Sequence, residues 1–455
     1  MPDSPLQTQP TSPALTPSPP MSRSGKSALA IVFLVVFIDL LGFGIVIPLL
    51  PRYGDRYVKV LLPSAEAGSE SRAAGAVLGL LMASFSAMQF VFAPIWGRIS
   101  DRIGRRPILL VGLTGSVMFY LLFGYASDLP ETSAVLALTL LFVSRIGAGV
   151  AGATIATAQA VIADCTPPER RKHGMALIGA AFGIGFTFGP LVGFASLLWF
   201  PNHHGAIGYS AAALSFIALV LGLILMPETR HFKEAPPLQR RWLDWHAARE
   251  VLRQPALAPI VLIFFLATLG FGGFEPTLAL LIKDALHFED EAGLRNSFLI
   301  FAYVGLVLVL TQGFLYRRLA NRLSEVTFMA LGLLLMALGL MLLGGVTWLR
   351  DTIEWRSVLA LMLVSMTVAV IGFAFLTPSA QALVSRRSDP AKQGEILGVN
   401  QSAASLARIL GPIFGLSLYK LTPSHLLPYL FGAALLLVML PLLPRIRRAD
   451  GMVTR

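Results

Sequence analysis

Twelve long apolar runs are the feature of this sequence that most restricts how it can fold. Each is about as long as the ~20 residues that an α-helix needs to cross the ~30 Å hydrocarbon core of a bilayer. A membrane-spanning strand is about ten residues long and alternates strictly in polarity, and these runs do not alternate. We therefore predict an all-α membrane protein with twelve transmembrane helices. Numbered in order as spans 1 to 12, the runs cover residues 28–50, 75–96, 108–126, 134–162, 174–199, 207–226, 258–282, 297–316, 326–347, 357–383, 394–419 and 427–443.

The composition excludes a soluble protein. Of the 455 residues, 55% are hydrophobic and 13% are charged, whereas soluble proteins carry about 25% charged residues. The single cysteine, Cys165, allows no internal disulfide and no cysteine metal cluster. The net charge of +11 comes from basic residues that are scattered in small groups between apolar runs, which does not favour nucleic acid binding. We expect a monomer in the lipid bilayer that binds a small molecule and needs no metal or cofactor beyond a proton gradient.

The distribution of lysine and arginine predicts the orientation in the membrane. If the N-terminus is cytoplasmic, 25 of the 36 basic residues fall in cytoplasmic segments. Basic residues are enriched on the cytoplasmic side of membrane proteins. Because the number of spans is even, both termini should be cytoplasmic, and we expect the protein to lie in the cell membrane.

Two halves of the sequence follow the same plan. The sequence from Leu41 to Gly44 recurs from Leu269 to Gly272 at an offset of 228, and Gly189-Pro190 recurs as Gly411-Pro412 at an offset of 222. Parallel repeats of six helices place a substrate site near the membrane midplane, between the halves. The predicted units are a proline-rich disordered tail (1–27), an N-terminal six-helix bundle (28–226), a central cytoplasmic loop (227–257), a C-terminal six-helix bundle (258–443) and a basic cytoplasmic tail (444–455).

Four ionisable residues lie well inside spans: Asp39, Arg145, Glu275 and Arg408. Such a residue costs roughly 2.5–3.5 kcal/mol at a helix centre, so it usually faces a cavity or a partner. One interpretation is that Asp39 and Glu275 take up and release protons, with an arginine nearby. The other is that Asp39–Arg145 and Glu275–Arg408 are static pairs that hold helices together.

Polar and small residues inside spans give further candidates. Gln89, Gln312 and Gln401 could bind substrate, although hydrogen bonds between helices explain them equally well. Span 5 contains Gly185, Gly189-Pro190 and Gly193. Small residues at this spacing allow close helix packing, and a proline within a helix removes a backbone donor and kinks it. Close and bendable packing suits an interface that moves.

Four segments resemble motifs of the major facilitator superfamily. Residues 97–106, GRISDRIGRR, resemble the signature loop between its helices 2 and 3. The other three are similar to the first-, fourth- and fifth-helix patterns of its drug–proton antiporter branch, and their nearest likeness is to the tetracycline-efflux group. They are Asp39 with Gly42, Gly44, Pro48 and Pro51; Arg145 with Gly149; and Gly185, Gly189, Pro190 and Gly193, whose Gly-Pro pair recurs as Gly411-Pro412.

This resemblance implies the major facilitator fold, alternating access and export by antiport. It implies that Asp101 and the neighbouring arginines latch the cytoplasmic face when the outer face is open. Spans 3 and 9 lack the acidic residues of the tetracycline exporters, so the resemblance does not extend to tetracycline as the substrate. The implied cytoplasmic gate consists of Gly97, Asp101, Arg102, Gly104, Arg105 and Arg106.

The function predicted from the sequence is secondary active transport, as a proton-coupled antiporter that exports small amphipathic compounds. The alternative is a metabolite or sugar carrier of the same superfamily that works as a symporter or uniporter. We do not expect an enzyme, because no histidine, HExxH motif or Cys–His pair lies at membrane depth. A channel or receptor would not need a two-fold repeat with paired glycine-proline motifs.

Overall fold

The structure is a computed structural model. It describes residues 23–46, 49–62, 69–165, 171–201, 203–229, 245–286, 291–320, 322–387 and 393–447. Helices make up nearly all of this part of the chain, and no strand occurs among the residues described. The α-helices are α1 (Arg23–Val46), α2 (Leu50–Leu61), α3 (Ser69–Ile103), α4 (Arg105–Asp128), α5 (Ala134–Ala151), α6 (Ile155–Cys165), α7 (Arg171–Trp199), α8 (Ala206–Leu225), α9 (Trp245–Arg253), α10 (Ala258–Leu286), α11 (Glu291–Leu310), α12 (Arg317–Ala320), α13 (Glu325–Leu349), α14 (Trp355–Arg387), α15 (Gln393–Leu421) and α16 (Leu427–Val438).

Within the described residues, eleven helical stretches are long and apolar enough to cross a membrane. They correspond to every predicted span except span 5, and the all-helical membrane prediction is confirmed. Span 5 corresponds to α7, a 29-residue helix in which Ile184–Trp199 forms a shorter apolar stretch. Span 8 continues from α11 into a π-helical segment, Thr311–Tyr316, a local irregularity that often marks a functional site.

Two predicted spans are not single helices. The prediction for span 1 ran too far, because α1 ends at Val46 and a separate helix, α2, begins at Leu50. The cause is proline: Pro51 occupies the first turn of α2, where its missing N–H costs nothing. Pro48 lies outside the described residues.

Span 4 is also interrupted, by a turn at 152–154 between α5 and α6. Two side chains of α3 bind carbonyl groups at this break. The Trp96 indole donates to the Val150 carbonyl at 2.7 Å, and the Gln89 amide donates to the Gly152 carbonyl at 3.1 Å. Backbone groups at membrane depth must find a partner inside the protein, so these bonds satisfy two carbonyl groups at the turn and connect α3 to span 4.

Equivalent glycines pack two parallel helices together in each half of the chain. On one side, Gly44 of α1 faces Gly189 of α7, and a Cβ atom at Gly189 would lie 2.9 Å from the Gly44 backbone. On the other, a Cβ at Gly411 of α15 would lie 2.8 Å from the carbonyl carbon of Gly272 of α10. The repeated motifs in the sequence therefore make the same kind of helix contact twice.

The most extensive contacts between the halves are those of α3 with α15 and of α7 with α11. Both helix pairs approach closely toward the predicted outer end. A Cβ at Gly79 of α3 would lie 2.5 Å from the Ile413 Cα of α15, and Gly193 of α7 leaves room for the Phe298 ring of α11. Here again the absence of a side chain sets the distance between the helices.

The close packing of α10 on α15 predicts a stability effect. An added methyl group in Gly415→Ala would overlap backbone atoms of Gly273, which cannot move aside as a side chain can. Overpacking costs about 1–3 kcal/mol. We expect the purified variant to unfold at a lower temperature than the wild type in a thermal unfolding assay.

The matched control is Gly345→Ala, since Gly345 is also helical and a Cβ there has no neighbouring atom within 4 Å. It should leave the unfolding temperature unchanged or raise it slightly, because alanine favours helix. Equal unfolding temperatures for the two variants would contradict the tight α10–α15 contact.

Candidate functional site

A narrow cavity lies between helices of the two halves. Its volume is about 10 Å³, the room that about one water molecule needs. Glu275 supplies the sole ionisable side chain of its lining, and the other side chains are apolar. The lining residues are Gly44 of α1, Phe186 and Pro190 of α7, Phe271, Phe274, Glu275 and Leu278 of α10, and Phe301 and Val304 of α11.

Glu275 is half-buried and has no hydrogen-bond or ion-pair partner among the described residues. It sits in α10 between Gly273 and Pro276 and next to Phe274. An ionisable group in such surroundings is expensive unless it binds a proton or a cation. The structure thus places one of the four predicted charged residues in a cavity and gives it no partner there.

Arg408 does not pair with Glu275. It is half-buried in α15, and its guanidinium donates to the Ser405 hydroxyl at 3.0 Å, one turn away on the same helix. Because Gly272 meets Gly411 and Asp284 meets Tyr419, α10 and α15 run parallel. A Cβ at Gly272 would lie 3.9 Å from the Arg408 Cα, so the level of Arg408 lies about three residues, roughly 4.5 Å along the axis, from that of Glu275. The static Glu275–Arg408 pair of the sequence analysis is not formed in this conformation.

Arg145 is 2% exposed in α5, and its guanidinium carbon lies 4.4 Å from the centre of the Phe85 ring of α3. This cation–π contact holds the arginine between two helices of the first half. Gly149, one turn further on, permits the close approach, since a Cβ there would lie 2.5 Å from the Phe85 carbonyl oxygen. The side chain of its predicted partner, Asp39, lies outside the described residues.

The three candidate glutamines differ in their surroundings. The Gln89 amide donates to the Gly152 carbonyl, which favours a hydrogen bond between helices over substrate binding for this residue. Gln312 is half-buried within the π-helical segment, and Gln401 is exposed on α15. Neither makes a hydrogen bond among the described residues, and neither lines the cavity.

At the predicted cytoplasmic end, Glu228 holds the loop motif in place. Its carboxylate accepts hydrogen bonds from the backbone N–H groups of Arg105 at 2.9 Å and Arg106 at 3.1 Å. These are the first residues of α4, where unpaired N–H groups and the helix dipole favour a negative charge. Gly104, just before them, has a φ of 109°, which favours glycine, and a side chain there would strike Glu228.

The Arg105 side chain completes this cluster. It forms an ion pair with Asp164 of α6 at 3.2 Å and donates to the Ser100 hydroxyl of α3 at 2.7 Å. Three helices of the first half thus meet at one arginine. Of the other predicted gate residues, Gly97 lies in α3 and Arg102 is exposed near its end, while the side chain of Asp101 lies outside the described residues.

At the predicted outer end, a buried ion pair joins the halves. The Lys420 ammonium of α15 lies 2.6 Å from the Asp55 carboxylate of α2, whose side chain is 4% exposed. Lys59 lies 3.5 Å from the second oxygen of Asp55. Nearby, Arg52 of α2 donates to the Ser297 hydroxyl of α11 at 3.2 Å. Two residues of α2 therefore bind two helices of the other half.

Burial alone raises the pKa of Asp55, but the ammonium groups of Lys420, Lys59 and Lys283 outweigh it and hold the pKa below its usual value. A lowered folded-state pKa means that the pair contributes stability above the ordinary carboxyl pKa and loses it as the pH falls through the lowered value. The Asp55 carboxylate is therefore charged throughout the neutral range.

A second cluster supports the α15 side of this contact. The Tyr419 hydroxyl donates to Asp284 of α10 at 2.8 Å, and the His425 ring stacks on Tyr419 with centres 4.1 Å apart. Burial lowers the pKa of His425, so its 3.7 Å approach to Asp284 involves a neutral imidazole at neutral pH. These contacts fix the end of α15 that carries Lys420.

Asp55, Lys420, Asp164 and Glu228 were not predicted. Lys420, Asp164 and Glu228 lie in a loop or at helix ends, and Asp55 lies in the short helix α2 that follows predicted span 1. Charged residues are common at such places and carry no special signal. Asp55 and Lys420 are 365 residues apart, so no spacing pattern could have paired them. Glu228 offered a weak signal, since it is an acidic residue just after a span in an otherwise basic segment.

A bundle of apolar, membrane-length helices around a cavity that holds a carboxylate is typical of membrane transporters. Comparison with known proteins identifies the family to which the chain belongs. The sequence profile described as Major Facilitator Superfamily matches residues 32–349 and 299–453. The chain belongs to this superfamily, and it is a multi-pass membrane protein.

Individual relatives agree with this assignment. The chain is 32% identical over 406 residues to the class E tetracycline resistance protein of Escherichia coli, a match that covers 88% of this chain and 89% of that protein. The crystal structure of the human organic anion transporter MFSD10 (TETRAN) is similar with a TM-score of 0.62 and 26% identity, covering 93% and 100% of the two chains. A D-xylose–proton symporter matches with a TM-score of 0.70, 18% identity and coverage of 92% and 99%, which shows the fold alone.

The capping role of Glu228 can be tested by Glu228→Gln. The amide keeps the size of the side chain but removes the charge that faces the start of α4 and can accept through one oxygen only. Loss of a charged helix cap costs about 0.5–2 kcal/mol. We expect a lower unfolding temperature for the purified protein. Asp351→Asn, which changes a carboxylate whose side chain is 71% exposed, should have no measurable effect, and an equal loss in both variants would refute the cap.

Proposed function

We propose that this protein is a proton-coupled antiporter of the cell membrane that exports small amphipathic compounds by alternating access. The observation that carries the proposal is Glu275, an unpaired carboxylate in an apolar cavity between helices of both halves. A carboxylate at such a place can take a proton from one side of the membrane and release it to the other when access alternates. Asp39 is the second candidate proton carrier.

The same proposal covers the architecture. Counting α7 as a membrane crossing gives twelve transmembrane helices in two six-helix bundles, with both termini in the cytoplasm. The packing of α1 on α7 and of α10 on α15 through equivalent glycines supports two related halves. The contacts of the antiporter-type residues of α7 support a role in transport, since Gly185 and Gly189 contact α1, Gly193 contacts α11, and Pro190 lines the cavity.

We assign this conformation to the inward-facing state. The contacts between halves that involve Gly79, Gly193 and the Asp55–Lys420 pair all lie toward the predicted outer end. Toward the other end, residues 87–97 of α3 are half-buried and Gln401 of α15 is exposed. In the opposite state, the Asp101 and Arg102 region would close the cytoplasmic end while the outer contacts separate.

The cavity disfavours the sugar-carrier alternative. A sugar presents several hydroxyl groups, and a site that binds it needs several hydrogen-bonding side chains. The lining offers one such side chain, Glu275, among phenylalanine rings and aliphatic groups. Apolar walls with one charged group suit an amphipathic compound better. The tetracycline resistance of the bacterial relatives supports efflux as the direction of transport.

The proposal predicts a proton flux opposite to the substrate flux. Purified protein would be reconstituted into vesicles with an acidic interior and a trapped pH dye, and tetracycline, tetraphenylphosphonium and xylose would be added outside in turn. For an antiporter, an amphipathic compound that enters drives protons out, so the interior should become alkaline faster. A sugar symporter would slow the alkalinisation when xylose is added, and a uniporter would not change it.

Asp39→Asn should abolish the substrate-driven alkalinisation, because an amide cannot carry a proton, while the protein stays monodisperse and folded. Asp351→Asn in the same vesicles controls for the loss of any carboxylate. Unchanged proton exchange in Asp39→Asn would remove this residue from proton coupling.

The outer ion pair predicts a change in access. Asp55→Asn or Lys420→Met removes the charge pair that joins α2 to α15, and the outer end should open more often. Native Cys165 would first be replaced by serine, and a reporter cysteine placed at the cavity-lining position by Phe301→Cys. A membrane-impermeant maleimide applied from outside should then label the reporter several-fold faster in either variant than in the reporter background.

The double variant should label no faster than the faster single variant, since both remove one interaction. Lys59→Met is the matched control, because Lys59 is exposed and lies 3.5 Å from Asp55. It should change labelling little. Labelling rates that are equal in all these proteins would exclude the pair as an outer gate.

A further inference from the structure

We infer that helix α9, together with the end of the last membrane span, forms a docking surface for anionic phospholipids at the predicted cytoplasmic end of the second half. The inference goes beyond the proposed function, because it concerns how this half is attached to the bilayer and holds for any transported compound. The surface, called the basic surface below, consists of Arg249, Leu252, Arg253, Arg445 and Arg447.

Helix α9 is held at the level where membrane spans end. The Arg387 guanidinium, at the end of the α14 span, donates to the Ala256 carbonyl at 2.9 Å and to the Ile446 carbonyl at 2.6 Å. Ala256 lies two residues before the span of α10, and Ile446 lies one residue before the last span ends. One guanidinium thus joins the ends of three spans. Because α9 ends only three residues before Ala256, it lies at the membrane surface.

Helix α9 does not project away from the bundle. It contacts both α10 and α15, and Val251 on its inner side is 2% exposed. The turn that follows is closed by two hydrogen bonds, from the Gln254 N–H to the Val251 carbonyl at 3.2 Å and from the Leu257 N–H to the Gln254 carbonyl at 3.1 Å. Pro255 lies in this turn, and a proline disfavours the continuation of a helix. The helix, about 13 Å long, therefore lies across the end of the second half.

The two flanks of α9 differ in chemistry. At about 100° per residue, Glu250 and Leu252 fall on opposite sides of the buried Val251, while Arg249 and Arg253 lie one turn apart on the outer side. Leu252 is 58% exposed, and both arginines are exposed. An apolar side chain beside two arginines suits the boundary between lipid headgroups and acyl chains, since the aliphatic group can enter the acyl region while the guanidinium groups bind phosphate.

The charge of the basic surface is not compensated within the described part of the chain. Its four arginines are exposed and form no ion pair among the described residues. The neighbouring Arg386 shows the contrast, because it pairs with Glu325 at 3.1 Å. Basic residues close to a membrane surface attract anionic headgroups, whereas a zwitterionic headgroup carries no net charge. Charge complementarity therefore favours an anionic phospholipid over phosphatidylcholine.

The experiment measures which lipid lies next to α9 in the intact protein. Cys165 would be replaced by serine, and Leu252→Cys would carry a fluorophore. The full-length protein would be reconstituted into vesicles of phosphatidylcholine and phosphatidylglycerol at equal mole fractions, with bromine atoms on the acyl chains of one lipid or the other. Bromine quenches the fluorophore only on contact. We expect brominated phosphatidylglycerol to quench at least about twice as strongly as brominated phosphatidylcholine, and added salt should lower this ratio.

A second reporter position separates a lipid preference from lipid contact alone. Met118→Cys places the same fluorophore on a side chain of α4 that is 61% exposed within a membrane span. It lies thirteen residues, about 20 Å, from the start of that helix. Both brominated lipids should quench this reporter equally, since no basic surface lies beside it.

Variants assign the preference to the basic surface. Arg249→Gln combined with Arg253→Gln should lower the quenching ratio at the Leu252 reporter, and glutamine at all four arginines should bring the ratio close to one. The matched control combines Lys59→Gln with Arg356→Gln, two basic side chains that are 61% and 76% exposed at the predicted outer end. It removes the same charge as the double variant and should leave the ratio unchanged. The unfolding temperature would establish that each variant is folded.

Three results would overturn the inference. Absence of quenching at the Leu252 reporter by either lipid would mean that α9 does not contact the bilayer and that its outer side faces water or a protein. Equal quenching by the two lipids, or a ratio that persists when all four arginines are replaced, would exclude the basic surface as a site for anionic lipid. None of these results depends on transport, so the proton-exchange assay tests the proposed function separately.

Discussion

Contact between helix backbones at glycine residues is the constraint on which the rest of this structure depends. Inside a bilayer the hydrophobic effect does not draw helices together, so association relies on close packing and on polar contacts. The helices α7 and α15 show this most clearly. Within its own half, α7 meets α1 at Gly189 and α15 meets α10 at Gly411. Between the halves, α7 meets α11 at its own Gly193, and α15 meets α3 at Gly79 of α3. These two helices therefore connect packing within a half to packing between halves, and the cavity lies beside one of them.

The intramembrane charges are distributed in a way that fits this arrangement. Arg145 lies against Phe85 within the first half and Arg408 against Ser405 within the second. Glu275 alone of these three faces the space between the halves. Charges that bind within one half can stabilise it in every conformation. A charge between the halves changes its surroundings when the halves move, which is what coupling transport to an ion requires.

The sequence predicted most of the membrane topology because long apolar runs and glycine patterns are local signals. Eleven of the twelve spans correspond to helices long enough to cross, and the repeated motifs at Gly44 and Gly272 proved to be packing sites. The separate start of α2 at Leu50 and the break after Ala151 were missed, because the sequence stays apolar past both points. The break in span 4 depends on Gln89 and Trp96, which lie on another helix. Asp55 with Lys420, and Arg105 with Asp164, were missed because long-range ion pairs leave no pattern in a single sequence.

The Asp55–Lys420 pair also has a consequence for biosynthesis. Asp55 enters the membrane region early in translation, whereas Lys420 emerges 365 residues later, near the end of the second half. During that interval Lys59, one turn away on the same helix, is the nearby cation available to it. The two halves can insert one after the other, but the outer end can close only after α15 has been made. A chain that stops before Lys420 would insert its first half and leave that surface open, exposing it to the membrane quality-control machinery.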